Sequence, residues 1–308
     1  MLRFRSSLLF LATTLAILVS GQRGRGDDAR PAPRTNREAW APKVFGFCMQ
    51  VSDSKQRSLP EQAAMLRALG FDGVGYPIWL DESLERNLHV MADAGLKLHL
   101  VEATVNVNPA APAFDPRLPG AIRKLKGQPA TICVTMRGLP PGDSRGKESA
   151  RKTLRQLGDL AAASGLRISI YNHTGDWTAS VLFALEVAKE ANHPQVGVNF
   201  NLCHWLMVDG DKDYRPVIRD NAAQIFIVTI NGAQQGTKTW TNGLIQPLDQ
   251  GDFDNRQLLA TLRDAGYRGP IGVMCYGIPG DARVHLERSM KLLKTWEAEL
   301  LGTGTSGK

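Results

Sequence analysis

Several familiar signals are missing from this sequence, and each absence closes off a class of function. Cysteine is sparse: Cys48, Cys133, Cys203 and Cys275 are the only four, and none stands in a C-x-x-C pair. A cysteine-built zinc knot is therefore excluded. No G-x-G-x-x-G follows the first apolar run, which removes the usual dinucleotide-binding signature. No repeat of solenoid period and no Pro/Gly/Ser-rich linker interrupts residues 42–301. The formal charge is +7, but the basic residues are scattered and form no stripe with interleaved aromatics. Such a distribution describes a solvated surface and gives no reason to expect a nucleic-acid partner.

What is present begins at the amino terminus. Arg3 and Arg5 precede an apolar run from Leu8 to Val19, and Val19, Ser20 and Gly21 follow as small residues. A charged start, a short apolar stretch and a small-residue exit build a secretory signal. The run is shorter than the ~20 residues a membrane span needs, so residues 1–21 are expected to be removed. The product would be exported, periplasmic or secreted, with no stable membrane span. Residues 22–41 are rich in Arg, Gly, Pro and Asp and offer little to bury; they read as a flexible tether. Residues 302–308 read as a disordered tail.

The body, residues 42–301, alternates short apolar runs with longer amphipathic ones, the pattern of βα units around a parallel sheet. Strands are expected at Val44–Met49, Gly73–Ile78, Lys97–Val105, Thr131–Met136, Arg167–His173, Val196–Cys203, Ile225–Ile230 and Pro270–Tyr276. Helices are expected at Leu59–Leu69, Asp81–Ala94, Asp115–Leu125, Glu148–Ser164, Trp177–Glu190, Tyr214–Asn221, Asn255–Ala265 and Ala282–Leu300. Gly70, Gly95, Gly165 and Gly266 stand just past four of these helices, where a left-handed turn feeds the next strand. Eight such units have few solutions besides a single (β/α)8 TIM barrel, in preference to an open doubly wound sheet. In a closed barrel Cys48 and Cys275 would lie on neighbouring strands, and export permits a disulfide. Buried free thiols, packing as small apolar groups, are nevertheless the expectation for all four cysteines.

Barrel chemistry collects at the carboxyl ends of the strands. Read in order, those ends supply Gln50; Glu102 and Asn106; Tyr171, Asn172 and His173; Asn201, His204 and Trp205; Thr229 and Asn231, with Gln246 in the loop beyond; and Tyr276. Four segments then carry a resemblance: Ile168–His173, Val196–His204 (V-G-V-N-F-N-L-C-H), Gln246–Asp254 and Gly266–Ile271. In order and spacing they resemble the xylose-isomerase-like superfamily of sugar isomerases and epimerases. That resemblance implies the barrel, a carbohydrate substrate and one divalent metal held by two Glu, an Asp and a His.

Here the four corresponding positions are Tyr171, Asn201, Thr229 (Asn231 if the register slips by two) and Met274. None bears a carboxylate, and neutral side chains do not balance a dication. The expectation is thus the family fold without its metal and with no cofactor. An imidazole titrates near working pH, so His173 or His204 is the expected general acid or base, with Glu102 as partner carboxylate. Tyr171 and Tyr276 would be proton donors or substrate contacts. The amides of Asn201, Asn231 and Gln246 would bind sugar hydroxyls, and Trp205 or Trp177 would stack on a pyranose. Two alternatives stand beside this reading: a catalytically degenerate barrel that only binds carbohydrate, and a metal site rebuilt from His173, His204 and Glu102. The nuclease branch of the superfamily needs a dense His/Asp/Glu mouth that is missing. His89, His193 and His285 fall on helices and are expected at the surface. The sequon Asn172-His173-Thr174 is read as coincidence.

Overall fold

The computed structural model describes residues 40–302. The expected signal (1–21), the tether (22–41) up to residue 39 and the tail (302–308) from residue 303 lie outside the described residues. In chain order the elements are β1 (Val44–Phe47), α1 (Leu59–Leu69), β2 (Gly73–Pro77), α2 (Ser83–Asp93), β3 (Lys97–Asn106) and α3 (Leu118–Lys124). There follow β4 (Thr131–Arg137), α4 (Lys147–Ser164), β5 (Arg167–Tyr171), α5 (Val181–Ala191), β6 (Val196–Asn201) and α6 (Leu202–Val208). The last are α7 (Tyr214–Asn221), β7 (Ile225–Ile230), α8 (Asn255–Asp264), β8 (Ile271–Met274) and α9 (Ala282–Gly302).

All eight strands pair in parallel with their sequence neighbours, and β1 closes on β8 from Val44↔Ile271 to Phe47↔Met274. Closure leaves no sheet edge, and the strands read as near-continuous apolar runs because both faces are covered. The Phe45 ring fills the seam where the barrel closes. It does so because Gly272 has no side chain: a Cβ there would stand 2.5 Å from Phe45 Cζ.

Local chemistry sets the helix boundaries. Ser58 and Glu61 form a capping box at the start of α1, with Pro60 in the first turn. The four glycines past the helices turn left-handed, with φ between 70° and 85°. Two boundaries differ from the sequence reading in ways that matter. Trp40 is buried and its indole N–H donates to Tyr267 O at 3.1 Å, so the packed body begins two residues before residue 42. Strand β6 stops at Asn201, two residues early, and the chain turns directly into the unexpected helix α6. Among the described residues, no helix is long and apolar enough to cross a membrane.

Candidate functional site at the barrel mouth

At the carboxyl ends of the strands lies a cavity of about 650 Å3 lined by Glu102, Tyr171, His173, His204, Trp240 and Tyr276, among others. It combines contributions from β3, β5, the first turn of α6, the loop after β7 and the segment after β8.

Asn201 organises its floor. Ending β6 in an extended conformation, it turns its carboxamide into the cap of α6: Oδ1 accepts the His204 N–H at 3.2 Å and the Cys203 thiol at 3.0 Å. Its Nδ2 donates to Tyr171 Oη at 2.8 Å. The neighbouring Asn172 is fully buried and bonds both the N–H and the carbonyl of Asn201. The sequon is therefore inaccessible to glycosylation. This cap fixes where the His204 ring stands, on a helix turn and not on a strand.

His204 is 7 % exposed, packed edge-on to Tyr171 with centroids 5.7 Å apart and against Trp240 at 5.2 Å. Its Nδ1 accepts the Thr174 backbone N–H at 3.2 Å, with the Thr174 hydroxyl at 3.0 Å. That arrangement places the ring proton on Nε2. Burial, aided by His173 nearby, pushes its pKa down to about 3, so the ring is a neutral donor at physiological pH.

His173 stands 4.4 Å away, ring centroid to ring centroid, and is about one-third exposed. Its Nδ1 lies 3.3 Å from Asp176 Oδ2, which also accepts Arg137 Nε at 3.0 Å. Burial raises the Asp176 carboxyl, but the bonds from His173 and Arg137 more than offset this and hold it below the usual carboxylate range. An ionised carboxylate on Nδ1 leaves Nε2 of His173 as the basic nitrogen. Glu102, mid-mouth on β3, is mostly buried. Burial raises its pKa against the opposing pull of His173 and Arg137. Arg137 is engaged by Asp176, not by Glu102.

The structure thus brings together His173, His204, Glu102, Tyr171 and Tyr276. It does not bring Trp205: that ring is 1 % exposed and packs on Phe200, 5.4 Å between centroids, because α6 turns it toward the core. Trp177 is likewise buried, its indole N–H donating to Asp143 O at 2.8 Å. The expected amides are spent on the fold. Asn201 is the buried cap just described, and Asn231 donates to Gly232 O and Leu244 O from a fully buried position. Gln246 uses Nε2 on Asn242 O and Gly243 O to pin its own loop. His285, expected at the surface, is buried on α9.

Three residues enter that sequence reasoning did not assign. Asp176 stands beside His173 Nδ1. Trp240, in the loop beyond β7, is held over His204 because Lys238 Nζ in the same loop donates to Leu206 O and Met207 O at the end of α6. Gln50 lines the cavity with a buried Oε1 that has no protein partner. Cys48 stands beside it with φ 57, an uncommon strain for a residue with a side chain and one that tends to gather at functional sites. All four thiols are free, and burial keeps those of Cys48 and Cys203 protonated, the latter with a pKa pushed up to about 12.

The family's metal positions do not fit a dication. Burial drives the Tyr171 phenol well above its ordinary pKa, so it stays protonated, and its oxygen is engaged by Asn201. Thr229, paired with Asn201 in register, offers a hydroxyl, and Met274 offers a soft thioether. Among the described residues no three His, Cys, Asp or Glu side chains gather closely enough to share an ion. The rebuilt set of His173, His204 and Glu102 is therefore not a ligand cluster.

The profile of the xylose isomerase-like TIM barrel matches residues 63–296. A 3-dehydroshikimate dehydratase of Pseudomonas putida is 26 % identical over 239 residues, covering 70 % of this chain. The chain spans only 36 % of the length of that relative. Among solved structures, the 3-keto-D-glucoside 4-epimerase of E. coli superposes with a TM-score of 0.66 at 16 % identity, over 83 % of this chain and all of the other. The D-allulose 3-epimerase of Methylomonas sp., solved with D-allulose, gives 0.63 at 15 % identity, over 83 % of this chain and 98 % of the other. At such identities the superpositions establish the fold alone. With its closed eight-stranded barrel and a profile match over most of its length, the chain belongs to the xylose isomerase-like TIM-barrel family.

Proposed function

We propose that the barrel mouth moves a proton at a carbon beside the carbonyl of a small carbohydrate, as a sugar isomerase or epimerase does, using side chains in place of the family metal. The observation that carries this reading is the convergence of His173, His204, Glu102 and Tyr171 on one cavity, with His173 tied to Asp176. In this reading Nε2 of His173 removes or returns the proton. The Glu102 carboxyl, its pKa raised by burial, is the second proton carrier on the facing side. A neutral imidazole is a suitable donor to the developing enolate oxygen, and Nε2–H of His204 fills that role. Gln50 Oε1 accepts a sugar hydroxyl, and Trp240 and Tyr276 cover the apolar face of the ring. Asp176 is a positioning residue.

The names of the relatives support a carbonyl-containing substrate. Two are epimerases of keto sugars and one is a dehydratase of 3-dehydroshikimate, and loss of a proton next to a carbonyl opens each of these conversions. If residues 1–21 are an export signal, the substrate is a sugar met outside the cytoplasm.

A panel of ketoses and keto-glycosides in deuterium oxide, followed by proton NMR, tests the reading. Enzyme-dependent exchange at the carbon beside the carbonyl is expected. It should fall about a hundredfold or more in His173→Asn and in Glu102→Gln. Sugar binding by calorimetry with no exchange by the wild type would instead identify a barrel that only binds carbohydrate, and exchange that survives both substitutions would refute the assigned roles.

A further inference from the structure

The catalytic cavity is not alone at the mouth. A second cavity of about 570 Å3 adjoins it, and Pro77 and Glu102 line both. Its walls are mostly apolar, with Ile78 and Leu80 from the segment after β2, Ala103 from β3, Phe114 from the loop after β3, and Leu118 from α3; besides Glu102, Thr104, Asn106 and Asp115 are the polar members. Ile78, Leu80 and Phe114 are only partly buried, so apolar surface faces the chamber.

The wall is fixed. Asn106 N–H donates to Ala113 O at 2.7 Å, and Val107 N–H to Arg137 O at 2.7 Å. The side chains of Asn106 and Asn108 accept the backbone N–H groups of Asn108 and Ala110 at 2.9 and 3.0 Å. A preformed apolar chamber joined to a polar, proton-transferring one suits a ligand with two unlike halves.

Resting on the function proposed above, we infer that the substrate is a glycoside carrying an aromatic or alkyl group: the sugar lies among Glu102, His173 and His204, and the apolar group lies against Leu80 and Phe114. The chamber's continuity with the sugar site through Glu102, and a lining in which Asp115, ion-paired to Arg117, is the one other charged side chain, favour an apolar group over a second sugar ring.

Calorimetry on the full chain with matched methyl and phenyl glycosides (glucosides, galactosides and their keto derivatives), beside the corresponding disaccharides, tests this. At least one phenyl member is expected to bind about tenfold or more tightly than its methyl partner. That ratio should fall toward one in both Leu80→Ser and Phe114→Ser, with circular dichroism establishing that each variant folds. The inference is overturned if no pair has the preference, if it persists in both variants, or if disaccharides match the phenyl glycosides. Deuterium exchange into free ketoses reads the proton-transfer site alone. Exchange without a phenyl preference defeats this inference and leaves the function standing; a phenyl preference without exchange does the reverse.

Discussion

Burying His204 as a neutral ring has a consequence that can be measured without knowing the substrate. Its pKa falls from an ordinary 6.5 to about 3, with burial the main cause. In the unfolded chain the same imidazole titrates normally, so between those values the unfolded state binds more protons and stability falls as pH falls. At pH 5, 1.5 units below the ordinary value, the cost is ~2 kcal/mol at ~1.36 kcal/mol per unit. His99, buried on β3 and lowered to about 4 chiefly by burial, adds ~2 kcal/mol through the same linkage. The raised pKa of Glu102 works in the opposite direction and offsets part of this. His285, buried on α9 and also lowered chiefly by burial, acts in the same direction as the other two, so urea unfolding of the wild type at pH 8 and pH 5 should differ by at least ~3 kcal/mol. His204→Gln keeps a side-chain acceptor for the Thr174 N–H and should narrow that difference by ~2 kcal/mol. An unchanged pH dependence in the variant would refute the assignment of His204 as a buried neutral donor.

Other consequences follow from individual contacts. Asp176→Asn should lower kcat about tenfold to a hundredfold while KM moves little, since the carboxylate stands beside His173 and does not itself line the cavity. Asn201→Ala removes the α6 cap and the donor to Tyr171, so urea unfolding should register a loss of ~2 kcal/mol. Asn201→Asp, which keeps the cap oxygen, should lose less. Amino-terminal sequencing of the protein recovered from an exporting host should begin near residue 22; a chain still starting at Met1 would count against the signal reading.

The barrel itself was legible because its evidence is distributed: eight apolar runs, alternating helices and glycine exits repeat one message, and a boundary error in any unit leaves the topology intact. The site was only half legible. Tyr171, His173, His204 and Tyr276 sit at or just past strand ends, and Glu102 on the second half of β3, where residue type and position point the same way. The misplacing of Asn201 and Trp205 has one cause, because V-G-V-N-F-N-L-C-H reads as unbroken strand by hydrophobicity. That reading sends Trp205 toward the mouth and leaves Asn201 free for substrate. An Asn directly before an apolar run is also a helix-cap signal, and that signal places both residues in the fold. Trp240 had no comparable signal, because a loop of polar and glycine residues carries no period; the bonds of Lys238 to the end of α6 hold that loop over His204. Asp176 lay three residues past His173, legible as a partner only once the turn at 173–176 was known.

The claim on which the account turns is that this family member carries out proton exchange with side chains at a site whose inherited ligand positions are Tyr171, Asn201, Thr229 and Met274. The most direct measurement is deuterium incorporation into a keto sugar by protein dialysed against a strong chelator, with manganese, magnesium or zinc added back in parallel. An undiminished rate after chelation, no gain from any ion, and loss of exchange in His173→Asn are expected. A rate that vanishes on chelation and returns with a stoichiometric divalent ion would contradict that claim.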